Sequence, residues 1–286
     1  MVVCIHNEEI AHWAARRCLV WLGCAALMVF LLRCSLLPAC GQAAVPGAGT
    51  GAGIESAKTL TAAARRRMEA ADFRASGRLV QVAANGARTI SNFSLKAHWF
   101  PDGLRLLFEI TAPAAARQRV LLTLSPHGQL AVEAARPGDK APRVVPFERW
   151  PGTLQDTLFS YEDLVEIQFF WPLQTLLPDA RYGARDCHVL RSEPTAAQHS
   201  HYSSVITWID RQSGAPVHTE KTLAASGQVK QFQAYGLRHT GGVWSASQVQ
   251  VKAQGSSASS LLIVERGSAD ARLNRGDFDA AAMTRP

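Results

Sequence analysis

From residue 73 onward the chain runs in short stretches in which apolar and polar residues alternate, and most stretches end at a turn signal. Leu104, Leu106, Phe108 and Ile110 fall on one side of such a stretch, with Arg105, Leu107 and Glu109 on the other. Residues 88–99 set Phe93, Leu95, Ala97 and Trp99 against Ser94, Lys96 and His98. A period of two residues is the mark of a strand with one buried face. Asn85-Gly86, Pro101-Asp102-Gly103, His127-Gly128, Ser213-Gly214, Ser226-Gly227 and Gly241-Gly242 supply the turns. The pattern predicts strands at 73–82, 88–99, 104–110, 119–125 and 130–134. A second group follows at 187–191, 202–210, 217–223, 229–235, 244–252 and 261–266. About ten short strands joined by tight turns make an antiparallel meander.

Two stretches depart from the alternation. Residues 57–71 place Leu60, Ala64, Met68 and Ala71 on one helical face, with Arg65, Arg66 and Glu69 turned elsewhere. A lone amphipathic helix of this kind needs a sheet to cover. Pro137, Pro142, Pro146 and Pro151 make residues 137–157 a loop. After it come Phe159-Ser160-Tyr161-Glu162-Asp163-Leu164 and an apolar run through Trp171. Ser160 with an acid three residues later is a capping-box pattern, which predicts a short helix starting near Tyr161. The fold class that follows is mainly β (α+β): a curved antiparallel sheet covered by helices.

The first forty residues have a different character. Cys18 to Leu32 is an uncharged run of fifteen residues after Arg16-Arg17, short for a membrane span but suited to a signal-peptide core. Leu37-Pro38-Ala39-Cys40-Gly41 resembles a lipobox, which makes Cys40 a lipidation candidate; Arg33 and Pro38 depart from that pattern. The small residues Gly41-Gln42-Ala43-Ala44 offer an ordinary signal-peptidase site instead. Residues 1–40 are therefore read as a signal peptide of either type, 41–56 as a Gly/Ala-rich tether, and 57–283 as the folded domain. Five of the six cysteines fall in the first forty residues, which leaves at most Cys40 and Cys187 after processing. The core must then hold the domain without a disulfide framework.

The formal charge of +7 changes little, because the basic residues are dispersed and cluster only at Arg65-Arg66-Arg67. That cluster is read as a solvated helix face, with anionic headgroups as the alternative partner and nucleic acid a poor fit to an exported chain. Catalytic signatures are hard to find. The sequence contains no Gly-x-Ser-x-Gly, and Gly47-Ala48-Gly49-Thr50-Gly51 has no strand feeding it as a phosphate loop would. His199 and His201, with Cys187 and His188 upstream, lack a third ligand at a defined spacing, so neither a metal nor another cofactor is expected. Glu162 and Asp163 are adjacent, about 100° apart on a helix, which suits a structural cap better than a pair of catalytic carboxylates. Trp99, Phe100, Phe108, Phe169, Phe170, Trp171, Trp208 and Trp244 serve either as ordinary core or as the lining of an apolar cavity.

Several fragments, taken in order, match a known family. Phe159-Ser160-Tyr161-Glu162-Asp163-Leu164 resembles the FSYEDL hallmark of outer-membrane lipoprotein-sorting-like proteins, a branch of the LolA/LolB-like superfamily. Asp186 to Leu190, Tyr202 through Trp208-Ile209-Asp210, Ser226-Gly227-Gln228-Val229-Lys230, Gly242-Val243-Trp244 and Asp277-Phe278 resemble its later elements. The resemblance spans approximately residues 57–283. It implies a strongly curved, incomplete antiparallel β-barrel closed by helices. It also implies a non-catalytic protein that holds lipid or the acyl chains of a lipoprotein in a concave apolar cavity, for transport or sorting towards the outer membrane. Phe93, Leu95, Trp99, Leu106, Phe108, Trp208 and Trp244 are the cavity candidates. The implied location is the cell envelope, either in the periplasm or as a membrane-anchored lipoprotein, at the outer rather than the inner membrane. Membrane contact and an envelope transporter are the further partners implied. The alternative reading is a structural or adaptor module that docks such a transporter or another partner protein.

Overall fold

The computed structural model describes residues 50–285, apart from Thr153, Gly241 and Gly242. The signal segment, Cys40, most of the expected tether and the Gly241-Gly242 turn lie outside the described residues. Helix α1 (Thr50–Glu69) opens the domain, so residues 50–55, expected in the tether, belong to its first turns. Its buried positions are Ala57, Thr61, Ala64 and Met68, spaced as one face of an α-helix, with Leu60 only half-buried. The face therefore sits slightly rotated from the one predicted.

All thirteen strands among the described residues belong to one antiparallel sheet. The first six are β1 (Asp72–Val82), β2 (Arg88–Phe100), β3 (Gly103–Ala112), β4 (Gln118–Leu124), β5 (Leu130–Ala135) and the short β6 (Arg143–Val144). The remaining seven are β7 (Leu173–Tyr182), β8 (Arg185–Glu193), β9 (Tyr202–Asp210), β10 (Pro216–Leu223), β11 (Val229–Thr240), β12 (Val243–Ala253) and β13 (Ser259–Ala269). The spatial order is β6-β5-β4-β3-β2-β1-β13-β12-β11-β10-β9-β8-β7. Two meanders are thus joined at the middle by β1 pairing with β13, and β6 and β7 form the two free edges. The sheet is not closed. It curves into an incomplete barrel, and register shifts at Ser76/Gly77, Asn92/Phe93 and Leu177/Ala180 add local bend and twist. At the first of these, a Cβ on Gly77 would lie 1.9 Å from the Ile263 carbonyl oxygen, so the close approach of β13 requires glycine.

This topology decides where the middle segment goes. Residues 145–172 connect β6 to β7, which lie at opposite edges of the sheet, so the segment has to cross the open mouth. It does so as a chain of short 3-10 turns, and it packs on the concave face together with α1. The inward-facing residues form one large core: Phe73, Phe93, Leu95, Leu106, Phe108, Ile110 and Leu122 from the sheet meet Phe159, Ile167 and Phe169 from the crossing segment. A second, smaller core lies on the outer face. There Leu273, Phe278 and Met283 cover Phe100, Leu107, Leu121 and Ala135, with helix α2 (Ala280–Thr284) the last described element.

Two strands escaped the sequence reading. β6 is only two residues long, and β7 carries Pro178 and an irregular burial pattern typical of an edge. The helix expected near Tyr161 is two 3-10 turns, Tyr161–Leu164 and Ile167–Phe170. Among the described residues no helix is long and apolar enough to cross a membrane.

Candidate functional site

The crossing segment and the sheet leave a narrow slot between them. Phe93, Leu95 and Leu106 line it from β2 and β3, and Phe232, Val249, Leu262 and Val264 from β11 to β13. Phe159, Leu164, Val165 and Gln168 of the crossing segment form the opposite wall. The walls are mostly apolar, and three polar residues, Asp163, Thr219 and Lys221, gather where β10 meets the segment. The cavity volume is ≈ 60 Å³, room for a few water molecules at ~10–15 Å³ each in this measure.

The polar end is built around Asp163. The serine of the capping box behaves as its spacing predicts: the Ser160 backbone N–H donates to Asp163 Oδ2 at 2.9 Å. The carboxylate does far more than cap. Ser160 Oγ donates to Oδ2 at 2.8 Å, Tyr202 O–H to Oδ1 at 2.7 Å, Lys221 Nζ to Oδ1 at 3.0 Å and Lys230 Nζ to Oδ2 at 3.2 Å. The Asp163 side chain is fully buried. Burial opposes its charge, but Lys230, Lys221 and the hydrogen bonds outweigh it and hold the carboxyl well below the usual range. Tyr202 is pushed the other way, its phenol raised well above the ordinary value by burial and the neighbouring negative charge.

The two lysines arrive together for a reason written in the hairpin. β10 and β11 join around Ser226-Gly227, and their register places Lys221 directly opposite Lys230. Val217, Thr219 and Lys221 share the inward phase of β10, so both ammoniums are delivered to the concave side. Like charges opposed across a ladder are destabilising unless an anion lies between them. Asp163 is that anion. The faces of Phe232 and Tyr202 add cation–π contacts to Lys221 at 4.8 and 5.2 Å from the ring centres. Lys230 also donates to the Leu158 carbonyl at 3.0 Å.

Glu162, next in sequence, points to a different partner set. Ser200 Oγ donates to one oxygen and the His201 backbone N–H to the other at 3.1 Å, which fastens the 194–201 loop to the crossing segment. Burial raises its pKa, with Ser200, His201 and Lys221 acting against that. The two acids therefore take separate sets of hydrogen-bond donors and share none.

The cavity candidates divide into three groups. Phe93, Leu95 and Leu106 line the slot, and Phe108 lies behind it in the core, stacked on Phe93 with ring centres 5.2 Å apart. Trp99 stacks on Phe170 at 5.9 Å, away from the slot lining. Trp208 lies on the other side of the sheet beside His218, and Trp244 packs against His239. Within the FSYEDL segment, Phe159, Asp163 and Leu164 reach the slot, while Tyr161 is half-buried and packs against the core. His199 and His201 both pack on Phe147, and the His201 ring bonds the Phe147 carbonyl at 2.7 Å. Cys187 is buried with its S–H directed at the Arg185 carbonyl, and no group of three metal-ligating side chains occurs among the described residues.

The arginine cluster is also more engaged than a solvated face. Arg65 lies over the Phe170 ring at 4.5 Å and donates to the Pro126 carbonyl, and Arg67 approaches the Gly214 turn. Only Arg66 of the three is exposed.

Comparison with known proteins places this architecture. No curated protein matches the chain in sequence. A family model described as an uncharacterized protein matches residues 104–285. Among solved structures, a domain ascribed to outer membrane lipoprotein sorting from Vibrio parahaemolyticus superposes with a TM-score of 0.73 at 19% identity, covering 81% of this chain and 99% of that one. A DUF1329 family protein from Desulfovibrio piger gives 0.73 at 14% identity over 81% and 99% of the two chains. A LolA superfamily protein from Nitrosomonas europaea gives 0.61 at 15% identity over 82% and 98%. The chain belongs to the uncharacterized-protein family whose model spans residues 104–285, and it has the fold of the outer-membrane lipoprotein-sorting, LolA-like proteins.

Proposed function

We propose that this protein is a non-catalytic carrier or receptor of the cell envelope that takes lipid, or the acyl chains of a lipoprotein, into the slot between sheet and crossing segment. The observation that carries the reading is the slot itself: an apolar lining from six strands and the crossing segment, at the mouth of an open, curved sheet. The fold it shares with the lipoprotein-sorting and LolA-like structures supports the same reading. The separation of Glu162 from Asp163, with each carboxylate occupied by its own donors, offers no pair for acid–base work. Export by the signal segment, with or without a lipid on Cys40, and delivery towards the outer membrane complete the proposal.

At ≈ 60 Å³ the slot is too narrow for a long acyl chain as it stands, so loading must displace a wall. The crossing segment is the wall not built of paired strands, and moving it has to part the core contacts of Phe159, Leu164 and Phe169 as well as the side-chain bonds of Glu162 and Asp163. The test is displacement of a fluorescent fatty acid from the purified protein, with hydrogen exchange followed in residues 145–172. Binding accompanied by altered exchange there, and weakened at least tenfold by Val249→Trp, supports the reading. No displacement, together with no lipid retained in native mass spectrometry of protein purified from membranes, overturns it in favour of an adaptor role.

A further inference from the structure

The polar end of the slot has an imbalance that its own residues do not resolve. Lys221 and Lys230 are two ammoniums with 6% and 12% of their side chains exposed, and they share the single carboxylate of Asp163. That carboxylate is already saturated, since its two oxygens take five donors. Lys221 spends one hydrogen bond on it and otherwise meets the faces of Phe232 and Tyr202. The other charged groups nearby do not restore the balance. Glu162 is turned to Ser200 and His201 and meets Lys221 only through space, with no hydrogen bond between them. Glu166, which also lines the slot, lies in the field of Arg67 on α1. An uncompensated ammonium at the end of an apolar cavity is costly unless a counter-ion comes from outside.

A second observation is independent of charge. Gln168 lines the same slot at 2% exposure, and its side-chain oxygen has no hydrogen-bond partner. Buried polar atoms without partners are rare in native proteins and mark places where water or a ligand supplies the missing hydrogen. Thus the slot's interior holds an unspent donor of positive charge and an unspent acceptor, both enclosed by apolar walls.

We infer that the molecule taken into the slot is an amphiphile with an anionic head, a carboxylate or a phosphate, and that Lys221 is the residue that pairs with the head. This rests on the slot being a lipid site, and it adds which lipids the site selects. The hydrocarbon lies against Phe93, Leu95, Leu106, Val249 and Val264, and the anion completes the charge that Asp163 leaves half-met. A hydroxyl beside the anion, as in a glycerophosphate, would satisfy Gln168 as well.

The experiment compares three probes with one acyl chain: oleate, 1-oleoyl-lysophosphatidate and the uncharged monoolein. Each is titrated below its aggregation threshold against protein loaded with Nile red, an uncharged reporter. For the wild type, oleate or lysophosphatidate should bind at least tenfold more tightly than monoolein, and which of the two leads distinguishes a fatty acid from a phosphate head. Lys221→Met should abolish that preference, lowering the affinity for the anionic probes at least tenfold more than that for monoolein, while Lys221→Arg should keep it. Equal affinity for all three probes in the wild type overturns the inference and leaves the lipid site standing. Equal loss of all three in a folded Lys221→Met overturns the role of Lys221. Binding of none overturns the lipid reading itself, and with it the inference. The wild-type comparison decides the head charge even where the variant does not fold.

Discussion

At the scale of single residues, Asp163 is the centre on which the candidate site depends. Its capping role was legible, because Ser160 and Asp163 have the spacing that lets a carboxylate reach back to a backbone N–H. Its larger role was not, because Lys221 and Lys230 lie 58 and 67 residues away in sequence. One signal did exist: Lys221 occupies the apolar phase of its strand, in step with Val217 and Thr219. A lysine there needs a buried partner. Asp163→Asn would leave both ammoniums unanswered, and breaking one side of a buried ion pair costs ~3–5 kcal/mol. For a domain of this size that is a loss of roughly 6–20 °C in Tm at neutral pH, readable by calorimetry. A change within a degree or two would mean that the cluster has little structural weight.

The two adjacent acids should also respond to pH with opposite signs. Asp163 is depressed when folded, so its stabilisation is present above the ordinary carboxylate range of ~4 and is lost as pH falls below it towards the folded value. Glu162 is raised, so its contribution is fullest below its unfolded pKa and is lost as pH rises through the folded one. Replacing Glu162 by Gln removes that second dependence while keeping an acceptor for the His201 N–H. The Tm of Glu162→Gln, relative to wild type, should therefore be more favourable at pH 8 than at pH 4. A parallel shift at both values would show that the group titrates alike in folded and unfolded chains.

At the scale of elements, what the sequence revealed depended on how local the cause was. Strands β1 to β5 and β8 to β13 were legible because alternation and turn residues are properties of a few neighbouring positions. β7 was hidden because an edge strand need not alternate, and Leu173–Tyr182 is half-buried or exposed along its whole length and interrupted by Pro178. The short helix expected near Tyr161 does begin there, as a 3-10 turn, because a capping box marks the first turn of either helix type. What cuts it short is Val165, where the backbone becomes extended and lets the chain follow the mouth of the sheet. That break turns Leu164 and Val165 into the slot wall. The site thus exists because a helix fails to continue, which no propensity argument over residues 159–171 could supply. The division of the aromatic candidates has the same origin: Phe93, Leu95 and Leu106 shared an evident phase, whereas the faces taken by Trp208 and Trp244 depend on register across several strands.

At the scale of the whole molecule, the sheet carries two cores on opposite faces, and they should be separable. The inner one holds the slot, while the outer one is closed by the chain's last described residues. Phe278 meets Phe100 edge-to-face at 5.8 Å, and Asp277 is fixed by Lys96 at 2.9 Å. Arg119 reaches the carbonyls of Met283 and Arg285 and pairs with Glu109 at 2.8 Å, clamping the terminal segment to β3 and β4. None of these residues lines the slot. Phe278→Ala removes a ring from this outer core and should cost ~3–5 kcal/mol by the usual toll of large-to-small changes. Removing residues 272–286 altogether should leave Phe100, Leu107 and Leu121 exposed as a contiguous apolar patch, and the shortened chain should self-associate in size-exclusion chromatography. Under conditions where Phe278→Ala remains folded, its fatty-acid affinity should stay within about twofold of wild type. A large loss of affinity at unchanged secondary structure would mean that the two faces are coupled through the sheet, and that the C-terminal clamp belongs to the lipid site after all.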